Sequence, residues 1–250
     1  METREITPSP GARFNSSREY RVYQARIARE ALLPWLRRLG IELCGRRLLD
    51  VGCGTGGMTD VWREEGATAV GLDIDTDRLR DLKGLSIIGD VTRLPTRFES
   101  FDLVFAHDCL EHVAGFEAAL DEIRRTLKPG GRAFVTFPPY YSAYGGHQQG
   151  SRTWAAYLPY GHLLPPWIWL RIVRSDKYSR MYSGLARLSM GRFERAVRRV
   201  GLRPEARLAY AVRPEVAMRC GVPAFGASIF ASIPAIRELV VGGVFYLLRK

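Results

Sequence analysis

Apolar and polar residues alternate along this chain with two different periods. Residues 18–39 place apolar and aromatic side chains three and four positions apart, which predicts an amphipathic helix that breaks near Pro34. Between residues 46 and 137, short apolar runs alternate with stretches of helical period. Strands are predicted over 46–52, 67–75, 85–91, 101–108 and 132–137, and helices over 56–66, 76–84 and 113–127. Strands that alternate with helices predict a parallel sheet covered by helices on both faces.

This alternation ends at Pro138. Residues 138–190 are rich in Gly, Pro, Tyr, Trp and His, which is typical of an insertion rather than of another strand and helix. Helical period returns over 192–202, and apolar runs predict strands over 203–213 and 238–250. We therefore expect a single domain in four parts: an N-terminal helical segment (1–45), a core (46–137), an insertion that forms a lid (138–190) and a C-terminal part of the core (191–250).

The composition excludes several classes of protein. A hydrophobic fraction of 46% without low-complexity tracts excludes a disordered chain. The first thirty residues carry charges and lack the apolar stretch of a secretory signal, and the uncharged run near the C-terminus is too short and too broken by prolines for a spanning helix. The cysteines are scattered and form no C-x-x-C pair, which predicts reduced thiols in a cytoplasmic protein. They are Cys44, Cys53, Cys109 and Cys220.

The net charge of +11 at first suggests a nucleic-acid partner. Divided along the chain, however, it is +4 over residues 1–50, −5 over 51–137 and +12 over 138–250. An acidic middle followed by a basic end does not by itself define a partner, so the partner has to be inferred from the motifs.

The strand at 46–52 ends in a glycine-rich turn, Asp50-Val-Gly-Cys-Gly-Thr-Gly56, that leads into a helix. Glycines permit a tight turn and let a ligand approach the backbone closely. A pyrophosphate-binding loop has the spacing G-x-G-x-x-G, whereas this loop is G-x-G-x-G and begins with an acid. The next two strands also end in acids, Asp73 and Asp90, placed to accept hydrogen bonds from ribose hydroxyls and from an adenine amino group. Three such acids favour a positively charged adenosine ligand, although a nicotinamide-type Rossmann domain and a non-catalytic nucleotide binder stay open.

This set, with the turn Leu127-Lys-Pro-Gly-Gly131, resembles the class I S-adenosylmethionine-dependent methyltransferases. The resemblance covers residues 46–137, and the core is similar to that of the small-molecule ubiquinone-pathway O-methyltransferases. It implies a Rossmann-like α/β fold with a seven-stranded, mostly parallel sheet, helices on both faces and one antiparallel strand near the edge. It also implies S-adenosylmethionine as cofactor. The residues that it assigns to cofactor binding are Asp50, Gly52, Cys53, Gly54, Thr55, Gly56, Asp73, Ile74, Asp90, Val91 and His107.

Methyl transfer is an in-line displacement in which the enzyme aligns the acceptor and manages its proton. The aligning residues should follow the fourth strand, in the segment His107-Asp-Cys-Leu-Glu-His112. A histidine with a near-neutral pKa can accept a hydroxyl proton, so His112 is the leading candidate base and Asp108 a second catalytic candidate. The alternative is that His112 only caps the following helix.

Asp108, Glu111 and His112 are spaced i, i+3 and i+4, which predicts that they share one face of a helix or turn. This pattern is similar to the acid-x-x-Glu-His element of the ubiquinone-pathway O-methyltransferases, where it can hold a divalent cation. Many relatives carry Glu-His without a metal. The resemblance therefore implies either a divalent cation on these three residues or a metal-free site.

The insertion follows the fifth strand at the edge of the sheet where a ligand binds, so we expect it to close over the acceptor. His147 and His162 are candidates for positioning the acceptor or handling its proton. Aromatic side chains suit stacking on sugar or aromatic rings, although the run 163–170 is also typical of core packing. A further alternative is a membrane-surface patch for a lipid-linked substrate. Its residues would be Trp154, Trp167, Trp169, Arg171 and Arg174.

These observations predict a methyltransferase for a small-molecule acceptor, with O-methylation of a sugar, a natural product of secondary metabolism or a phenol. The positive charge of residues 138–250 favours an anionic or lipid-linked acceptor and allows peripheral membrane contact. Phe137-Pro-Pro-Tyr140 resembles the N/D-P-P-Y motif of base-methylating enzymes, but it follows the fifth strand and lacks the polar residue, which disfavours nucleic acid. An RNA methyltransferase and a non-catalytic cofactor-binding scaffold are the alternatives.

Overall fold

An N-terminal helical segment precedes the sheet in the computed structural model, which describes residues 16–80, 82, 84–151 and 153–250. The segment consists of α1 (Ser17–Ile27), a π-helical turn (Ala28–Leu32) and α2 (Leu33–Arg38). The first fifteen residues of the predicted segment lie outside the described residues. The sequence predicted a break near Pro34, but the helix continues. The wider π turn before Pro34 accommodates the missing N–H and the bulk of the proline ring.

Strands and helices alternate through the core as predicted. They are β1 (Arg47–Val51), α3 (Gly57–Glu64), β2 (Thr68–Asp73), α4 (Thr76–Leu79), β3 (Ser86–Ile88), β4 (Phe101–His107), α5 (Phe116–Thr126) and β5 (Leu127–Phe137). The last strand begins before the predicted residue 132. Its pairing with β4 starts at Leu127, and the register shifts between Phe101 and Leu103. The turn predicted at residues 127–131 therefore lies within β5.

The insertion and the C-terminal part are mainly helical. The insertion contains short 3₁₀ turns and the helices α6 (Pro166–Val173) and α7 (Asp176–Ser183). After it come α8 (Met190–Arg199), β6 (Arg203–Val212), α9 (Pro214–Cys220), β7 (Phe225–Gly226), α10 (Ser228–Ala231), α11 (Pro234–Val240) and β8 (Gly243–Arg249). The strand predicted over 238–250 is therefore shorter than expected, because residues 238–240 complete α11.

The strands form one sheet in the order β3-β2-β1-β4-β5-β8-β6-β7. The first five are parallel, and β8 runs antiparallel to both β5 and β6. The predicted Rossmann-like, mostly parallel sheet is thus confirmed, and the two-residue β7 adds an eighth strand beside β6. The strand order reverses between β1 and β4, and ligands bind such sheets at the carboxyl ends of the strands on either side of the reversal.

Each strand of the core buries side chains on both faces, as expected of a parallel sheet covered by helices. Leu48, Phe105 and Phe134 pack with α1, α2 and α3 in one hydrophobic cluster. On the opposite face, Leu49 and Val135 pack with α5 and α8. The two layers hold the strand ends rigidly, so the residues that follow those ends have fixed positions.

The insertion has a small hydrophobic core of its own, which we call the lid core. It consists of Tyr140, Ala155, Trp169, Val173, Tyr178, Tyr182 and Leu185. The indole N–H of Trp169 donates to the hydroxyl of Tyr178 (3.0 Å), and that hydroxyl donates to the carbonyl of Gly146 (2.8 Å). The insertion is therefore a packed unit. Among the described residues, no helix has the length and apolar character needed to cross a membrane.

Replacing Tyr178 with phenylalanine is expected to lower the free energy of unfolding by about 1–2 kcal/mol, because the Trp169 N–H and the Gly146 carbonyl both lose a buried partner. Urea unfolding followed by tryptophan fluorescence measures the change. Tyr157, whose side chain is exposed, provides the matched control: its change to phenylalanine should leave the unfolding free energy within about 0.5 kcal/mol. Equal effects of the two substitutions would contradict a structural role of the Tyr178 hydroxyl.

Candidate active site

The glycine loop between β1 and α3 has the backbone that its sequence predicted. Gly52, Gly54 and Gly56 all have positive φ angles, at 69°, 57° and 79°. At Gly52 the lack of a side chain is also a steric requirement, because a Cβ atom would lie 2.6 Å from the sulfur of Cys109. The loop therefore turns tightly beside the segment that follows β4.

Acids stand at the ends of the next two strands, as predicted. Asp73 ends β2, is only 8% exposed, and accepts hydrogen bonds from the backbone N–H groups of Gly54 (2.8 Å) and Asp75 (2.9 Å). Asp90 follows β3 and is exposed, with one carboxylate oxygen accepting from the backbone N–H and the hydroxyl of Thr92. Asp73 thus joins the glycine loop to the second strand end.

Asp50 and its neighbours in the loop are more buried than their predicted contact with a cofactor suggests. The carboxylate of Asp50 accepts a hydrogen bond from the hydroxyl of Thr59 (2.6 Å), and burial raises its pKa to about 6. The side chain of Cys53 packs with Leu79 and Leu82. Asp50 therefore fastens α3 to β1, and Cys53 offers a ligand only its backbone.

Helix α1 covers the glycine loop through two residues that the sequence analysis missed. The side-chain amide of Gln24 accepts from the Thr55 hydroxyl (2.8 Å) and from the Gly57 N–H (3.4 Å). Burial, followed by the charge of Asp108, raises the pKa of Tyr20, which lies over the same loop. The signal was present in the sequence, because Gln24 is a polar residue on the apolar face of an amphipathic helix.

The residues around the loop fit an adenosine cofactor with a positive charge. Each oxygen of the Asp73 carboxylate accepts one backbone hydrogen bond and keeps a lone pair for a ribose hydroxyl. Ile74, directly after Asp73, is 69% exposed and offers an apolar surface to a purine ring, whereas Val91 is buried beneath it in the core. Asp50, Asp73 and Asp90 bring acidic side chains to this region, which suits a positively charged ligand better than a phosphate.

A second cluster lies where the segment after β4 meets the insertion, and it consists of Glu111, His112 and His147. Nε2 of His112 lies 4.0 Å and Nε2 of His147 lies 3.9 Å from Oε1 of Glu111. The two imidazole rings meet edge to face with centroids 4.8 Å apart. Glu111 is 3% exposed, whereas the His112 side chain is 39% exposed. The cluster therefore opens to solvent at His112.

Burial controls the charge of this cluster. It raises the pKa of Glu111 well above its ordinary value, an effect that the negative charge of Asp108 reinforces. It lowers the pKa of His112, and together with the neighbouring His112 it lowers the pKa of His147 to about 3. Both histidines are therefore neutral at pH 7, and His112 is able to accept a proton.

Asp108 belongs to a different group, a buried charge network. Its Oδ2 accepts from the guanidinium of Arg213 (2.5 Å) and its Oδ1 from the hydroxyl of Thr136 (3.0 Å). Arg213 also donates to Glu215 (3.2 Å), which in turn accepts from Nε2 of His107 (3.1 Å). Although burial raises the pKa values of both Asp108 and Glu215, the charge of Arg213 holds them below their ordinary range.

Three predicted site residues are therefore placed differently from the expectation. Asp108 has a left-handed backbone (φ 48°) before the 3₁₀ turn Leu110–His112, so it shares no helical face with Glu111 and His112. Nε2 of His107 contacts Glu215, so this atom belongs to the charge network. His162 is buried beside the lid core, where its Nε2 donates to the carbonyl of Tyr140 (2.6 Å). The His162 side chain lies against Gly146, the residue before His147.

A comparison with known protein families identifies the part of the chain that carries the glycine loop. A profile of the methyltransferase domain matches residues 49–135. The chain is 32% identical to phosphoethanolamine N-methyltransferase 2 of Caenorhabditis elegans over 51% of its own length and 31% of the relative. It is 34% identical to malonyl-[acyl-carrier protein] O-methyltransferase of Serratia marcescens over 37% of its length and 38% of the relative. It is 36% identical to a sterol 24-C-methyltransferase of Gibberella zeae over 35% of its length and 26% of the relative.

These alignments span between 26% and 38% of the length of each relative. A solved structure supports the fold over more of the chain: a methyltransferase from Thermotoga maritima, described as a possible histamine N-methyltransferase, superposes with a TM-score of 0.58 at 18% identity. That superposition covers 93% of this chain and 95% of the other. Residues 49–135 therefore match a methyltransferase domain, and the fold of the chain is that of a solved S-adenosylmethionine-dependent methyltransferase.

Proposed function

We propose that the chain transfers the methyl group of S-adenosylmethionine to a hydroxyl group of a small-molecule acceptor. The observation that supports this proposal most directly is the position of the Glu111–His112–His147 cluster. Glu111 and His112 follow β4, the neighbour of β1, so they stand at the same edge of the sheet as the glycine loop, and His147 joins them from the insertion after β5. A group that handles a proton is thereby placed next to the cofactor region.

In the proposed reaction, the acidic strand ends and the glycine loop bind the cofactor and align it. The bound cofactor supplies a methyl group on a sulfonium, and the acceptor oxygen gains that methyl while the sulfur leaves as a neutral thioether. The hydroxyl proton must leave the acceptor, and His112, the exposed member of the cluster, accepts it. The lid excludes water while this happens.

The acceptor atom is a proposal because the relatives differ in it. Their names describe N-, O- and C-methyltransferases, so the shared domain does not fix the atom that is methylated. Oxygen is supported here by the neutral histidine at the open side of the cluster. A hydroxyl must lose its proton for the methylated product to be neutral, and a neutral histidine can accept that proton. A sugar, a natural product or a phenol satisfies this requirement.

We further propose that the acceptor is anionic or lipid-linked. Residues 138–250 carry a net charge of +12. A groove on the outside of the insertion is lined by apolar and cationic side chains: Trp154, Trp167, Ile168, Arg171, Ile172 and Arg174. Trp169, which the sequence placed in the same patch, faces the lid core instead. Arginine beside exposed tryptophan suits a negatively charged headgroup, so peripheral membrane contact through this groove accompanies the proposal.

A broad acceptor screen by mass spectrometry tests the proposed function. Purified protein, S-adenosylmethionine and pools of phenols, sugars and polyketide-like compounds should yield products heavier by one CH₂, together with stoichiometric S-adenosylhomocysteine. If the protein bound the cofactor but formed no S-adenosylhomocysteine with any of these pools, the non-catalytic scaffold would be favoured. The cytoplasmic location that the sequence predicted stays a prediction.

Replacing His112 with alanine is expected to lower turnover by about 100-fold or more, within the range that positioned acid–base groups contribute, and to leave cofactor affinity nearly unchanged. Turnover is measured on an acceptor from the screen, and cofactor affinity by calorimetry. Glu117→Gln, a change on the next helix outside the cluster, serves as control. Undiminished turnover of the alanine variant would remove His112 from the proton-handling group.

An RNA methyltransferase is the second candidate, because the basic charge is concentrated in one part of the chain. It predicts RNA binding that weakens steeply as salt increases. A flat response to salt in filter-binding measurements with structured and single-stranded RNA dismisses this candidate.

A further inference from the structure

Glu111, His112 and His147 bring three potential metal ligands to one point. One ligand atom from each side chain lies within 4.8 Å of the other two. A tetrahedral ion with bonds of about 2.1 Å needs ligand atoms roughly 3.4 Å apart. The two distances from Glu111 to the histidines, 4.0 and 3.9 Å, exceed this by about half an ångström, so the three side chains would have to draw together to hold an ion.

The cluster contains polar atoms that nothing else in the described part of the chain satisfies. Both carboxylate oxygens of Glu111 and Nε2 of His147 are fully buried, and the structure shows no hydrogen-bond partner for them among the described residues. Leaving a buried carboxyl group without a partner is costly, whereas a bound cation would satisfy a carboxyl oxygen and an imidazole nitrogen together. Oε1 of Glu111 and Nε2 of His147 lie 3.9 Å apart, so one ion between them would contact both.

The backbone holds the ligands in place from two distant parts of the chain. The carbonyl of Glu111 accepts from the N–H of Ala186 (2.8 Å), which anchors the turn that carries Glu111 and His112. His147 has a left-handed backbone with φ of 54°, an unusual conformation for a non-glycine residue that the loop before it maintains. The carbonyl of Gly146 accepts from Tyr178, so the lid core fixes the direction of His147.

We propose that Glu111, His112 and His147 bind one divalent transition-metal ion, of the class to which Zn²⁺ belongs. Two imidazoles and one carboxylate are ligands that Zn²⁺ and its neighbours prefer, whereas Mg²⁺ and Ca²⁺ prefer oxygen ligands alone. The set differs from the one that the sequence resemblance implied. Asp108, with both oxygens bound to Arg213 and Thr136, is replaced by His147 from the insertion.

Three protein ligands leave at least one coordination position open, as in catalytic metal sites. The cluster opens toward solvent at His112, so an ion held there would be reachable from solvent. This inference rests on the proposed function and changes one role in it. A ring nitrogen that binds the ion cannot also accept the hydroxyl proton, so in the metal-bound protein His112 would hold the ion. The ion would lower the pKa of an acceptor hydroxyl that reaches it, and that hydroxyl would release its proton to solvent. A ligand on the insertion also links closing of the lid to completion of the site.

Metal binding is tested on untagged, full-length protein that has been stripped with a chelator. Calorimetric titration with Zn²⁺ should show one site, titration with Mg²⁺ should show none, and Co²⁺ should produce the visible absorption of a low-coordinate histidine site. Glu111→Gln and His147→Gln should each weaken Zn²⁺ binding by about 100-fold or more, because loss of even an outer-shell partner typically costs roughly 10–100-fold. Circular dichroism confirms that both variants are folded.

The control is Glu117→Gln, which makes the same chemical change at a glutamate outside the cluster and should leave the Zn²⁺ affinity at the wild-type value. Absence of a stoichiometric Zn²⁺ or Co²⁺ site, or wild-type affinity in both cluster variants, overturns the proposal. The methylation screen separates the two failures. Product formation by chelator-treated protein that binds no metal refutes only the metal site, whereas a metal site without any methylated product refutes only the proposed function.

Discussion

Replacing Arg213 with methionine is expected to lower the free energy of unfolding by about 3–5 kcal/mol, the usual cost of removing one member of a buried ion pair. Arg213 is 7% exposed and is the cation between Asp108 and Glu215. Without it, the partly exposed Asp108 carboxylate and the buried Glu215 carboxylate lose the cation that they share, and Glu215 keeps its contact with His107. Urea unfolding at pH 7 measures the loss.

The loss should depend on pH in a defined direction. In the wild-type protein the pKa values of Asp108 and Glu215 lie below their ordinary range, so the stability that they contribute is present above about pH 4 and disappears as pH falls through their folded pKa values. In the variant, burial is no longer opposed by Arg213 and these pKa values rise. The difference in unfolding free energy between the two proteins is therefore largest near neutral pH and shrinks toward pH 4.

Arg37→Met provides the matched control, because Arg37 pairs with Glu65 and its side chain is 61% exposed. Exposed pairs contribute about 0–1 kcal/mol, so this variant should unfold nearly as the wild type does at every pH. A loss below about 1 kcal/mol in Arg213→Met, or a loss that grows as pH falls, would show that the network is not the stabilising unit described above.

Replacing Asp73 with alanine is expected to weaken S-adenosylmethionine binding by about 100-fold. Two effects combine: the cofactor loses a charged acceptor for its ribose, and the Gly54 N–H loses the carboxylate that fixes the glycine loop. Hydrogen bonds to charged groups contribute about 1.5–3 kcal/mol each, and a factor of ten in affinity corresponds to about 1.4 kcal/mol. Calorimetry with the cofactor measures the change.

Asp77→Ala is the control, since Asp77 lies in the adjacent helix, is exposed, and pairs only with Arg80 among its described neighbours. Its cofactor affinity should equal that of the wild type. If Asp73→Ala retained wild-type affinity while remaining folded, the carboxylate at the end of β2 would not bind the cofactor, and the position of the adenosine would have to be assigned elsewhere.

The sequence predicted the fold of the core well because the relevant information is local. Each strand predicted over residues 46–137 is a short apolar run, and the first four end in turns whose glycines or acids stand beside them in the chain. Asp50, Gly52 and Gly54 are thereby positioned by a single strand and turn, and Asp73 comes next to them because β2 pairs with β1. The eighth strand escaped prediction because two residues carry no periodic signal.

The charge network and the third ligand of the cluster were not predictable in the same way. Arg213 reaches Asp108 across 105 residues of sequence, and neither residue has a local pattern that reveals its partner. His147 was recognised as a candidate, but its approach to Glu111 depends on how the insertion folds onto the sheet. Asp108 does not share a helical face with Glu111, because its left-handed backbone precedes the 3₁₀ turn, but its charge still acts on Glu111.

The separate core of the insertion has an evolutionary consequence. Trp169, Tyr178 and Tyr182 pack among themselves and share no hydrophobic cluster with the strands that carry the glycine loop. Substitutions on the outer face of the insertion can therefore accumulate without disturbing the sheet. Descendants of one ancestral enzyme can exchange one acceptor for another while they inherit the cofactor half unchanged, and the most divergent surface of such homologues should be the insertion.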